Sequence, residues 1–232
     1  MHASAPEGTP EYFAQVEQSR YELEPFIPAY ADFAGAAGKR VLEVGVGLGT
    51  DFVRFARAGA DVTGVDLTEH AVELVRSRLE QEKLEGSVKV ADAESLPFPD
   101  DLFDRVYSWG VLHHTPNTQR AIDEAIRVVR PGGALCVMLY GRHSWVTFGM
   151  WAKHGLLAGR PQRSLSDILA HHMESEGTKG YTKGELREMF RSLEQLQITP
   201  VATRYDSHFA GPLARLFPRF GWFMVIRGMK PA

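Results

Sequence analysis

Cysteine is almost missing from this chain: Cys136 stands alone among 232 residues. That excludes an intramolecular disulfide and any site built from several thiols, and the apolar run around Cys136 marks it as a small core residue rather than a nucleophile. Charge of one sign is missing too. The 26 Lys and Arg nearly balance 29 Asp and Glu, a net −3, so the chain has no general electrostatic footprint for nucleic acid, and no nucleic-acid partner is expected. Long apolar runs are absent, with no window near about 18 uninterrupted apolar residues, and no basic-then-apolar segment opens the chain. A soluble cytoplasmic protein is expected, with membrane contact disfavoured. There is no internal repeat and no low-complexity tract. No metal site is expected: His171 and His172, adjacent on a helix, would point about 100° apart, and no acid or cysteine pattern completes a ligand set. With 44% hydrophobic residues, the length suits one domain over 1–232 with one core plus an insertion.

The most informative stretch is Val41-Leu-Glu-Val-Gly-Val-Gly-Leu-Gly-Thr-Asp51, followed by Phe52-Val-Arg-Phe-Ala56. It reads as strand, tight turn, helix. Gly45 and Gly47 permit the turn and close approach of backbone to a ligand, and Gly49 lets the helix pack on the strand. A dinucleotide fingerprint would place its third glycine at position 50, where this chain has Thr50. Glu43, two positions before the first glycine, would repel a pyrophosphate and favour a cation. The ammonium and sulfonium of S-adenosylmethionine meet that requirement. A second strand, Asp61-Val-Thr-Gly-Val-Asp66, ends in an acid about 20 residues after the first glycine, where a carboxylate accepts from ribose hydroxyls. A nicotinamide cofactor would use Asp66 as well, so this acid indicates an adenosyl ligand without choosing between them.

Along the chain, residues 11–34 carry apolar positions at helical spacing, interrupted by Pro25 and Pro28. This leader (1–38) either covers the ligand pocket or caps the sheet. A core over 39–140 follows, with strands expected at 40–45, 61–66, 87–91, 103–109 and 133–140 and helices at 50–58, 69–82 and 118–130. That alternation predicts a parallel sheet covered by helices on both faces. Gly59 is placed to end the first core helix, Thr68 to cap the next, and Pro131-Gly132-Gly133 to stop the last. Residues 141–180 form an insertion rich in histidine and aromatics. The closing segment, 181–232, opens on a capping box, Thr182 with Glu185, for a helix through Phe190, and ends in two antiparallel strands, 195–203 and 220–227.

Four ordered blocks carry a family resemblance: Val41 to Asp51; Val62 to Asp66; Val90-Ala-Asp-Ala-Glu-Ser-Leu-Pro-Phe-Pro99 with Phe103-Asp-Arg-Val106; and Val111-Leu-His-His114 with Val129-Arg-Pro-Gly-Gly133. Over roughly residues 40–140 the chain resembles the class I S-adenosylmethionine-dependent methyltransferases, particularly the type 11 small-molecule group. The resemblance implies an α/β Rossmann-like fold: a doubly wound, seven-stranded, mostly parallel sheet with its last strand antiparallel and a helical insertion after the fifth. It also implies S-adenosyl-L-methionine as cofactor. Carried over by position, Gly45, Gly47, Gly49 and Thr50 lie under the methionine portion and Glu43 faces its amino group. Asp66 holds the ribose, Leu67 lies on the adenine, Asp92 accepts from the adenine amine with Ala93 donating from its backbone, Glu94 belongs to the same cofactor site, and Trp109 and Gly110 line the methionine and the transferred methyl.

Methyl transfer from a sulfonium needs a nucleophile held in line, water removed and, for some acceptors, a base. His113 and His114, after the fourth strand, are the candidate catalytic residues, with loop shaping as their alternative role. Tyr140, His143 and Trp145 are the candidate substrate contacts. The partner expected is a small organic acceptor, methylated at oxygen or nitrogen; the oligomeric state is left open. Two alternatives stand beside this reading: a regulatory protein that binds the cofactor without turnover, and an enzyme for a lipid-like or macromolecular acceptor.

Overall fold

A computed structural model describes residues 4–173 and 175–232. Its centre is a seven-stranded sheet in the order β3-β2-β1-β4-β5-β7-β6. The strands are β1 Arg40–Val44, β2 Asp61–Asp66, β3 Ser87–Val90, β4 Phe103–Trp109, β5 Val129–Tyr140, β6 Glu194–Val201 and β7 Phe223–Met229. Strands β1 to β5 pair in parallel, and β7 runs antiparallel to both β5 and β6. This is the expected architecture. The order reverses between β1 and β4, and there the loops from adjacent strand ends diverge and open a crevice.

Period-two alternation decides what each strand residue faces. Val41 joins the apolar cluster under the helices α3 (Thr50–Arg57) and α4 (Glu69–Glu82), while Leu42 and Val44 join the opposite cluster under α5 (Thr118–Val128). Glu43 therefore shares the face of Val41. Its register partner on β4 is Tyr107, so Tyr107 and Trp109 face the same way. The leader covers this face with helices α1 (Pro10–Leu23) and α2 (Ile27–Ala31), burying Ile27 and Phe33 in the same cluster.

Caps act as the local chemistry predicts. The Thr68 side chain accepts from the Ala71 amide, and Thr182 with Glu185 closes the capping box that starts α8 (Lys183–Met189). One expectation needs correction. Helix α5 ends at Val128, and Pro131-Gly132-Gly133 lies inside β5 rather than before it. Gly132 has φ +69°, and the β4–β5 register shifts between Phe103 and Arg105, so the strand absorbs the motif as an irregularity. Between the last two strands, a stretch for which the sequence reading names no element, stand α9 (Arg204–Ala210) and α10 (Leu213–Leu216). The signal was present: Thr203 and Asp206 form a second capping box. The insertion holds α6 (Trp145–Trp151), a π-helical turn and α7 (Leu165–His172). Among the described residues no helix is long and apolar enough to cross a membrane.

Candidate active site

The turn after β1 is forced by its surroundings. Gly45 has φ +82°, and a Cβ there would stand 2.2 Å from Cγ2 of Val111, in the loop after β4. Gly49 has φ +71° and packs against Val75 of α4. Gly47 (φ +49°) differs: a Cβ there would meet nothing within 4 Å, so its outer side is open, and its N–H donates to Asp66 Oδ2 at 3.0 Å. The other oxygen of Asp66 accepts from the Thr68 N–H at 3.0 Å and hydroxyl at 2.9 Å. Two turns from neighbouring strands are thereby tied together at the crevice.

Beneath the turn lies a buried polar cluster. Asp51, the second residue of α3, accepts from Arg20 Nη2 at 2.7 Å and from the hydroxyls of Tyr21 and Tyr107, each at 2.8 Å. Glu43 is 4% exposed, and its Oε2 has no hydrogen-bond partner among the described residues. Burial, with Asp51 and Asp66 nearby, raises the Glu43 pKa well above 4.5, although Arg20 opposes the shift. A buried, unmatched carboxylate is costly unless something cationic reaches it. The hydroxyl of Thr50 is likewise buried and unpartnered. These groups fit the ammonium end of S-adenosylmethionine, and they do not fit a pyrophosphate.

Further out, Leu67 is 71% exposed beside Asp66. Asp92 Oδ1 accepts from the Glu94 N–H at 2.8 Å, across a tight turn in which Ala93 is half-buried. Glu94 turns away, accepting from the Asn117 N–H at 2.5 Å. Trp109 is buried beneath the leader among Phe26, Tyr30 and Phe223, and its Nε1–H donates to Glu24 at 2.9 Å. Gly110 follows it at φ +78°. Of the two roles open to the leader, it performs both: it caps the sheet through Ile27 and Phe33 and covers the crevice through Arg20, Tyr21 and Glu24.

His113 is fully buried, with neither ring nitrogen hydrogen-bonded among the described residues; its ring packs against Tyr140, with centroids 3.9 Å apart and planes tilted by 38°. Burial, then His114 and Lys179, push its pKa well below 6.5 and keep it neutral. His114 Nδ1 is 2.8 Å from the Ser175 hydroxyl. Next to Tyr140 a cavity of about 480 Å³ opens between the strand ends, α6, α7 and α9, lined by Glu24, Met150, Phe209, Trp222 and Phe223 among others. Tyr140 lines this cavity. His143 and Trp145 do not: His143 is exposed and Trp145 packs on Phe220, while Val146 and Met150 from the same helix supply the wall. Glu24, Arg20 and Trp222 went unremarked as site residues in the sequence, because no motif marks them. A smaller hollow of about 310 Å³ lies at the other end of the sheet, beside Arg105 and Cys136. There burial pushes the Cys136 thiol up to about 12, in keeping with a core residue.

Residues 42–137 match the family model described as a methyltransferase domain, of type 11. An uncharacterized protein of Mycobacterium tuberculosis is 35% identical over 197 residues, spanning 85% of this chain and 69% of that one. The 27-O-demethylrifamycin SV methyltransferase of Amycolatopsis mediterranei is 39% identical over 104 residues, 44% of this chain and 38% of that one. Among solved structures, an S-adenosylmethionine-dependent methyltransferase from Methanosarcina mazei superposes with a TM-score of 0.63 at 22% identity, covering 88% of this chain and 98% of that one. The chain belongs to the class I S-adenosylmethionine-dependent methyltransferases, in their type 11 group, with S-adenosylmethionine as methyl donor.

Proposed function

We propose that this methyltransferase acts on a small organic acceptor, at oxygen or nitrogen, and releases S-adenosylhomocysteine. The observation that carries the reading is the walled cavity beside Glu24 and Tyr140: the leader, the insertion and α9 close over the strand ends and leave about 480 Å³, a volume suited to a small molecule. The name of the Amycolatopsis relative places its methyl on an oxygen, which supports the same choice.

In this reading Glu43 receives the cofactor's ammonium, with Gly45, Gly47, Gly49 and Thr50 beneath its methionine part. Asp66 accepts from the ribose. Leu67 lies on the adenine, with Asp92 and Ala93 at its edge and Glu94 bracing that turn. Trp109 and Gly110 line the sulfonium, which supplies a methyl group already activated for displacement. The protein's share is to orient the acceptor and exclude water. His113 and His114 hold the Tyr140 ring from behind: one is sealed and neutral, and the other faces Ser175 and Thr178. His143 and Trp145 bear on the acceptor only by shaping α6.

A lipid-like acceptor has one observation in its favour, the exposed apolar side chains of Leu213, Leu216 and Phe217 beside α9. Flotation with anionic vesicles at low salt tests it, and absence of binding removes it. The main reading is tested by calorimetry with S-adenosylmethionine, followed by a transfer screen over phenols, alcohols, amines and carboxylates. Cofactor binding with transfer to a member of the screen is expected. Binding with no transfer to any of them would favour a regulatory role.

A further inference from the structure

The cavity's walls are selective. On one side Tyr140 stacks on Trp222 (ring centroids 4.1 Å apart, planes 26° apart) and on Phe223 (5.8 Å, 17°). Facing helices contribute Met150 and Phe209. Flat, apolar walls of this kind favour an acceptor with a ring of its own. A protonated amine would arrive charged and without a free electron pair; a phenol arrives neutral.

The titratable side chains on the walls include Glu24, His172 and His208. His172 and His208 are carried by α7 and α9, and His172 Nε2 is already engaged with Arg163 at 2.7 Å. Glu24 is different. Its Oε2 is fixed by the indole N–H of Trp109, the residue that ends β4 beside the glycine turn. Arg20 stands 3.6 Å away, and the Glu24 side chain is only 13% exposed. His113, the candidate base suggested by position in sequence, is fully buried behind Tyr140 and is not among the side chains that line the cavity.

We propose that the cavity takes a phenol-class acceptor and that Glu24, at its inner wall, is the base that removes the hydroxyl proton. The proposal rests on the small-molecule reading above and names its substrate class. The proton passes from the phenol oxygen to a Glu24 carboxylate oxygen. The phenol oxygen's electron pair forms the new C–O bond to the donor methyl, and the C–S bond breaks with its pair on sulfur. The products are the aryl methyl ether, S-adenosylhomocysteine and a protonated Glu24, which then returns its proton to solvent. Burial raises the Glu24 pKa, with Asp51 adding to the shift and Arg20 and Trp109 opposing it, and a carboxylate so raised is a better proton acceptor.

The test uses the full chain, S-adenosylmethionine and two ring-matched probes, an ordinary phenol and a nitrophenol already ionised at the assay pH. Glu24→Gln is expected to lower kcat/KM on the ordinary phenol by about 100-fold or more, with little loss on the ionised one. Cofactor affinity by calorimetry should stay within a few-fold, which also shows that the variant is folded. Glu24→Asp should restore part of the activity. Independently of turnover, nitrophenol should quench tryptophan fluorescence in the wild type, and Trp222→Ala should weaken that binding. Equal losses on both probes would overturn the base, leaving Glu24 a structural residue. Transfer to amines but to no phenol would overturn the acceptor class while leaving the methyltransferase reading intact. Failure to bind the cofactor at all would overturn both.

Discussion

Arg20 of the leader helix donates to Asp51 at the start of α3 across 2.7 Å, and the same carboxylate receives the hydroxyls of Tyr21 and Tyr107. This one contact joins a segment outside the family-matched region to the floor of the crevice. It explains why the leader covers the crevice instead of only capping the sheet: the carboxylate is 3% exposed, and Arg20 brings it a cation from above.

Removing that cation should be costly. Arg20→Ala is expected to destabilise the protein by roughly 3–5 kcal/mol, because Asp51 is left buried with hydroxyl partners alone. Urea denaturation measures the loss, and adding Asp51→Asn should recover part of it. An unchanged midpoint would mean that the pair contributes nothing.

The raised pKa of Glu43 gives a prediction with a sign. In the ligand-free fold Glu43 retains a proton that the unfolded chain releases near 4.5, so its contribution to stability is full below that pH and is lost as pH rises through the folded value. Without ligand, Glu43→Gln should therefore melt higher than the wild type at pH 8, with the gap closing towards pH 5. Its cofactor affinity should nevertheless fall by about tenfold or more. At a pH below the folded value, wild-type binding should release a proton, seen by calorimetry in buffers of differing ionisation enthalpy.

Asp66→Ala is expected to weaken cofactor binding by about 1–3 kcal/mol. Two effects combine here, loss of the ribose acceptor and loss of the tie to the Gly47 N–H. Titration calorimetry reads it, and an unaltered Kd would remove Asp66 from the site.

His113 is held neutral by burial, so its dependence runs the other way. The unfolded imidazole binds a proton below 6.5 and the folded one does not, so stability should fall as pH drops through that value. His113→Phe keeps a ring against Tyr140 and should flatten the decline in melting temperature between pH 7.5 and 5.5. An undiminished decline would show that His113 is not its source.

Gly149 of α6 allows close packing on α9: a Cβ there would stand 2.1 Å from Cδ1 of Phe209, which lines the acceptor cavity. Gly149→Ala should shift that wall and raise the acceptor KM several-fold, while the cofactor Kd stays constant. Steady-state kinetics beside calorimetry separates the two.

What the sequence determined by itself is the part governed by local rules. Three glycines at alternate positions, an acid two residues before them and an acid ending the next strand define a strand-turn-helix crevice for a cationic adenosyl ligand, since turn geometry and charge act over a few residues. Caps at Thr68 and Thr182 were legible for the same reason. The tertiary structure alone decided the rest. Neither periodicity nor spacing says that Glu24 would meet Trp109 across 85 positions, or that Arg20 would reach Asp51. Nor does either show that His113 would be buried behind Tyr140 while α9, between the last two strands, walls the cavity. Burial and long-range pairing come from how helices close over the sheet, and that closure is a property of the packed whole rather than of any window of residues.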